Sequence, residues 1–174
     1  MARDAPGSCT CPHRTGPDGY AAVKRRDWLL LLLAYEGSPD GLHPVRVQKS
    51  MFLLAEDPAA ALGPDERHEF VPYNYGPMSK QIYADLEELV DEGLSRRVPV
   101  EGQTGTMYMA APKALVAAQR LVDDMEGRDI PIARKLFEIK RLVVGMTFAE
   151  LLEYVYERFP DYETRSIFRR QLAH

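Results

Sequence analysis

The chain is poor in cysteine, and the little it has is clustered. Its only two, Cys9 and Cys11, stand one residue apart near the start of 174 residues. So close a pair makes a strained disulfide, and two cysteines make no disulfide framework of the secreted kind. With His13 they form a Cys-x-Cys-x-His cluster, but a structural zinc site takes four ligands, including one from an ordered element. The cluster therefore reads as part of a tail, with no metal and no cofactor expected. Long apolar runs are also missing. The longest, Trp28 to Tyr35, falls well short of the ~20 residues a membrane span needs. It lies deep in the chain, behind Lys24, Arg25 and Arg26, and no small-residue cleavage site follows it, so it is no secretory signal. The expectation is a soluble cytoplasmic protein with no membrane partner. Excess positive charge is absent as well. With 22 basic and 26 acidic residues the net charge is −4, which argues against a generic nucleic-acid binder.

Catalytic signatures are missing too. No glycine-rich phosphate cradle, His-Glu-x-x-His or Gly-x-Ser-x-Gly motif occurs. His43 and His68 stand beside loops with no evident nucleophile or paired base. The acid pairs Glu87/Glu88 and Glu153/Glu157 read as solvated helix surface. No catalytic residue is assigned and no enzyme is expected. What remains is a composition of 45% hydrophobic and 28% charged residues, enough for the core of about one domain.

Residues 1–19 are rich in proline and glycine and read as a flexible tail. A first helix is expected from Ala21 to Glu36, stopping at Gly37, and its apolar run is too continuous for a surface helix. A second begins near Pro44, with Val47, Met51, Phe52 and Leu54 turned inward. Residues 68–73 suggest a short edge strand, because Pro72 cannot donate to a ladder. Asn74 to Ser79 reads as a turn into a third helix, Met78 to Glu92, seated on Met78, Ile82, Leu86, Leu89 and Val90. Two strands, Leu94 to Val100 and Thr106 to Ala110, flank a glycine-bounded loop.

The remaining third reads as helical. Pro112 to Glu126 shows an inner face of Leu115, Ala118, Val122 and Met125. Pro131 to Val144 shows Ile132, Leu136, Ile139 and Val143. Thr147 and Glu150 form a capping box for a helix with Phe148, Leu151, Leu152, Val155 and Phe159 inside. A short last helix is expected over 163–172. The expected class is α+β, mostly helical: a winged helix-turn-helix core over 20–110 and a C-terminal helical extension over 111–174 that packs on it. Those C-terminal helices, with Tyr154, Val155, Tyr156 and Phe159, could also carry a homodimer, and Arg165, Arg169 and Arg170 could meet an acidic neighbour.

The block Lys49–Leu53, then Phe70-Val-Pro-Tyr-Asn-Tyr-Gly-Pro-Met-Ser79, Asp85–Leu89 and Gly93-Leu94 resembles small bacterial winged-helix proteins. More remotely it is similar to the Panacea antitoxin domain. Leu151 to Tyr162 resembles the C-terminal helix of the same small proteins. This resemblance spans roughly residues 28–170 and implies antitoxin or adaptor work through a protein partner, such as a toxin.

Two surfaces can carry function. Tyr73, Tyr75 and Tyr83 flank Gly76-Pro77 and could form a partner-binding patch, or could simply pack the turn. Glu87, Glu88 and Asp91 on the third helix offer an acidic face to a basic partner, or a solvated one. The rival reading is a DNA-binding transcriptional regulator. It would use helix 79–92 and the 95–110 wing, with Ser79, Lys80 and Gln81 at the helix start and Arg46, Lys49, Arg96 and Arg97 on the backbone. Against it, residues 24–110 hold nine basic and fourteen acidic side chains, and DNA affinity draws heavily on phosphate neutralisation.

Overall fold

The computed structural model describes residues 23–35, 41–100, 105–163 and 167 of the 174-residue chain. The tail with Cys9, Cys11 and His13, the expected helix ends at Ala21 and Glu36, most of the 101–105 loop and the arginines Arg165, Arg169 and Arg170 lie outside the described residues. Six helices and two antiparallel strand pairs make up the rest, an α+β fold that is mostly helical. No helix of the described residues is long and apolar enough to cross a membrane.

Helix α1 (Arg25–Ala34) sits at the centre. Trp28 to Leu33 are six consecutive buried residues, so every face of the helix meets protein. Each such side chain contributes roughly 1.5–3 kcal/mol by leaving water. The Asp27 carboxylate accepts from the Lys24 N–H at 2.9 Å, and Lys140 donates to the Tyr35 carbonyl where the helix ends. A cation there meets the negative end of the helix dipole.

Helix α2 (Pro44–Ala55) starts on its proline, as expected. It is then buried from Val47 through Ala55, polar residues included. One side lies along α5 (Asp129–Gly145) and the other against a hairpin, β1 (Val71–Tyr73) with β2 (Gly76–Met78). The second strand of that hairpin departs from the turn expected over Asn74 to Ser79. Pro72 stands opposite Pro77 and Tyr73 opposite Gly76, so the strands close over Asn74 and Tyr75 alone. Gly76, with φ +83°, turns the chain from Tyr75 into β2, and pairing with β1 keeps Gly76-Pro77-Met78 a strand rather than an early helix start.

Helix α3 (Lys80–Asp91) accordingly begins two residues later than the Met78 start read from the sequence. Ile82, Leu86 and Leu89 are fully buried on its inner face, and Val90 is partly so. Strands β3 (Ser95–Pro99) and β4 (Thr106–Ala110) follow directly, paired Ser95 to Ala110 through Pro99 to Thr106. Leu42, between α1 and α2, adds a single bridge to Tyr108: each backbone N–H donates to the other's carbonyl, at 2.8 and 2.9 Å.

Helices α4 (Pro112–Asp123) and α5 lie against α1 and α2. In α4 the expected inner face holds at Ala118 and, just past the helix, at Met125, with Val122 packed on the core, but fails at Leu115. Leu115 is 54% exposed, while Ala114 and Ala118 are buried. The leucine-rich α1 already fills the space, so the approaching helix presents its smallest residues. In α5 the expected stripe holds: Ile132, Leu136, Ile139 and Val143 are all buried. Helix α6 (Phe148–Arg158) opens on the expected capping box. Thr147 Oγ1 accepts from the Glu150 N–H at 3.3 Å and Glu150 Oε2 from the Thr147 N–H at 2.7 Å. Leu151, Leu152, Val155 and Tyr156 face the core; Phe148, expected inside, is exposed with its edge against Tyr75.

Candidate functional site

Two polar constellations lie under the surface. The first locks the fold. Asp85 on α3 receives a two-pronged contact from Arg25 of α1, Nε to Oδ2 at 2.9 Å and Nη2 to Oδ1 at 3.1 Å. His68 Nε2 meets the same Oδ2 at 2.9 Å. Burial alone would raise the Asp85 pKa. The hydrogen bonds from His68 and Arg25 outweigh it, and the carboxyl ends below its ordinary value. The arrangement ties α1, α3 and the segment before β1 together. All polar atoms of the carboxylate face partners rather than an open cleft, which suits a brace.

The second constellation surrounds a cleft of about 520 Å³ between the start of α2, the β1–β2 hairpin, the start of α3 and the start of β4. Its floor is polar and its rim aromatic. Gln48 clamps the backbone of Ser79 from both sides, its Nε2 donating to the carbonyl at 2.9 Å and its Oε1 accepting from the N–H at 2.8 Å. That clamp fixes where α3 begins relative to α2. Beside it Lys49, only 2% exposed, donates from Nζ to the Pro77 carbonyl at 2.9 Å. Desolvation brings its pKa down to about 7. Gly76 completes the fit. Its φ is +83°, and an added Cβ would stand 3.0 Å from Tyr156 Cε1 and 3.6 Å from both Cε and Nζ of Lys49. Glycine is needed there for both conformation and space.

Tyr73, Tyr75 and Tyr83 line the rim, 49%, 39% and 41% exposed. Lys80 stands exposed among them, and His43, Pro44, Val45 and Thr106 close the far wall. The imidazole of His43 has its pKa lowered by burial and by Arg46, and its Nδ1 accepts from the Val45 N–H at 3.4 Å.

The residues singled out from the sequence thus fall into separate groups. The three tyrosines come together at one opening. The acids do not share it. Glu87 pairs with Arg97 and accepts from the Tyr108 hydroxyl at 3.0 Å, Glu88 faces Arg26, and Asp91 is exposed nearby. The residues named for a DNA contact scatter. Arg46 forks onto the carbonyls of Val143 and Met146 and so caps the end of α5. Lys49 and Ser79 are buried, and Gln81 Oε1 accepts from the Glu69 N–H at 2.8 Å. Arg96 reaches Met109 Sδ, and Lys80 alone stands at the cleft mouth. Two members of the cleft could not be placed in it from the sequence. Gln48 and His43 carry no pattern of their own, and only the proximity of α2 to the Gly76-Pro77 hairpin brings them in. Among the described residues no group of three or more His, Cys, Asp or Glu could hold a metal ion. In comparison with known proteins, no family model matches this chain and no curated protein matches it.

Proposed function

We propose that the protein is a non-catalytic winged-helix module that works by binding a protein partner, in the manner of an antitoxin or adaptor. The winged-helix reading is supported by the order of elements: a helix, the Leu42 bridge, two helices, then the β3–β4 ribbon with Tyr108 facing Leu42. The β1–β2 hairpin is then an insertion between the second and third helices of that arrangement. The partner reading is carried by one observation. Three tyrosines from two elements stand half-exposed around a single cleft whose floor is held rigid by the Gln48 clamp. Tyrosine is over-represented among the residues that dominate binding energy at protein interfaces, and a preorganised pocket lowers the ordering cost of binding.

Recovery of the tagged protein at native expression level, followed by mass spectrometry, tests the reading. A stoichiometric protein partner is expected, and it should be lost when Tyr73, Tyr75 and Tyr83 are all replaced by serine. Recovery without a stoichiometric partner overturns it.

A further inference from the structure

The cleft is cationic in a molecule whose net charge is −4. Lys49 lies at its floor and Lys80 at its mouth, and among the described residues no carboxylate lines it. Two helices begin there: Pro44 and Val45 open α2 and Lys80 opens α3. At α2 the first turn has none to offer, since Pro44 lacks an N–H, His43 Nδ1 takes that of Val45 and the His43 carbonyl that of Arg46; at α3 the first-turn N–H groups add partial positive charge, which favours an anion. A helix start is by itself no site, but that of α3 borders a walled cavity that also holds a buried amine. That amine has three N–H donors and, among the described residues, meets one acceptor, Pro77 O. The walls are otherwise apolar, with Pro44, Val45, Pro77 and Met78 below the tyrosines. A volume of about 520 Å³ lies within the range of preformed ligand clefts, roughly 300–1,000 Å³.

We infer that this cleft receives an extended acidic segment of the partner protein, with one carboxylate seated at the Lys49 amine and its apolar neighbours against Tyr73, Tyr75 and Tyr83. The inference rests on the reading of the molecule as a partner-binding module and adds where the partner docks and which chemistry it brings. Charge complementarity carries it. A carboxylate supplies what the amine lacks, and the burial that holds Lys49 near neutrality is the penalty that a paired anion relieves. A basic segment would meet Lys80 at the mouth and Lys49 at the floor with nothing to pair it.

The test uses the full chain, wild type and Lys49→Met, with two probes: an acetylated pentapeptide alternating leucine and glutamate, and its glutamine counterpart. Amide shifts are followed by two-dimensional NMR. The glutamate peptide should shift Gly76, Met78, Lys80 and Thr106 in the wild type and bind at least ten-fold more weakly to Lys49→Met. The glutamine peptide should bind at least ten-fold more weakly to the wild type. Equal binding of the two peptides, undiminished binding to a folded Lys49→Met, or shifts confined to other faces overturns the inference. So does saturation of the same amides by inorganic phosphate with neither peptide bound. Should Lys49→Met fail to fold, Lys80→Glu serves, with the same ten-fold loss expected. The natural partner separates the two levels of the argument. Capture of the same partner by wild type and folded Lys49→Met in equal yield sinks the cleft as docking site and leaves the module reading standing. Capture by neither sinks the module reading.

Discussion

Lys49 shows how one residue couples burial, charge and pH. Its folded-state pKa lies near 7 against an ordinary value of 10.5, so between those values the unfolded chain holds a proton that the folded chain does not. Stability must then rise with pH across that window, by up to ~1.4 kcal/mol per unit. Lys140, lowered to about 8 by burial, acts in the same direction from a higher starting point. Urea unfolding at a series of pH values should show stability rising from pH 7 to 10. In Lys49→Met the rise should be much shallower between pH 7 and 8 and continue above 8, where Lys140 contributes most. Asp85 gives the same sign in the acid window for the opposite reason, since here folding favours the charged form. Its pKa is depressed, so the stability it contributes is fully present above the ordinary carboxylate value and is lost as pH falls through the folded one. Asp85→Asn should cost about 2 kcal/mol at pH 7, less than a wholly buried pair would, because Arg25 keeps access to water. The acid limb of the stability curve should flatten with it. A loss at pH 7 that stays unchanged at pH 3 would contradict this account.

The elements show where sequence patterns suffice. Helices α2, α3 and α5 were legible because their apolar residues repeat at helical spacing and are buried together, as Ile132, Leu136, Ile139 and Val143 are. Helix α4 was legible as a helix and over most of its inner face, but not at Leu115. Reading the largest apolar residue inward fails where the neighbour is itself bulky, and Ala114 and Ala118 face the leucines of α1 while Leu115 stays outside. Strand β2 was hidden because Gly76-Pro77-Met78 has no strand pattern, and only pairing with β1 makes it one. The cleft was half-legible. Its tyrosines are conspicuous beside Gly76-Pro77, whereas Lys49 looks like a surface lysine until α5 and the hairpin enclose α2 from both sides. The Leu42 bridge to Tyr108 needs its neighbour Gly41, which has φ +87° and whose added Cβ would lie 2.7 Å from the Tyr108 carbonyl oxygen. Gly93 has φ +69° with nothing within 4 Å. Gly93→Ala should therefore cost about 1 kcal/mol, the left-handed conformation alone, and Gly41→Ala at least 1 kcal/mol more. Thermal unfolding of the two variants checks the difference, and equal losses would remove the role given to close approach.

For the whole molecule the decisive quantity is where charge is free to act. DNA affinity requires cations at spacings that neutralise phosphates, with each contact adding to the salt dependence. Of the candidates, Arg46 is spent on the end of α5, Lys49 lies inside the cleft and Arg97 is matched by Glu87. Lys80 and Arg96 remain, on a helix start and a strand respectively, while α3 presents Glu88, Asp91 and Glu92 along the length that would enter a groove. Glu88 and Glu92 are matched by Arg26, so two free cations stand beside exposed Asp91, too few to neutralise a run of phosphates. Selection from a randomised duplex library at about 150 mM salt should therefore enrich no sequence, and lowering the salt should bring only weak, sequence-independent retention. An enriched motif whose binding disappears in Lys80→Glu would reverse the choice between the two readings. The helix start would then be an instrument for bases, and the tyrosine-rimmed cleft would lose its place as the functional surface.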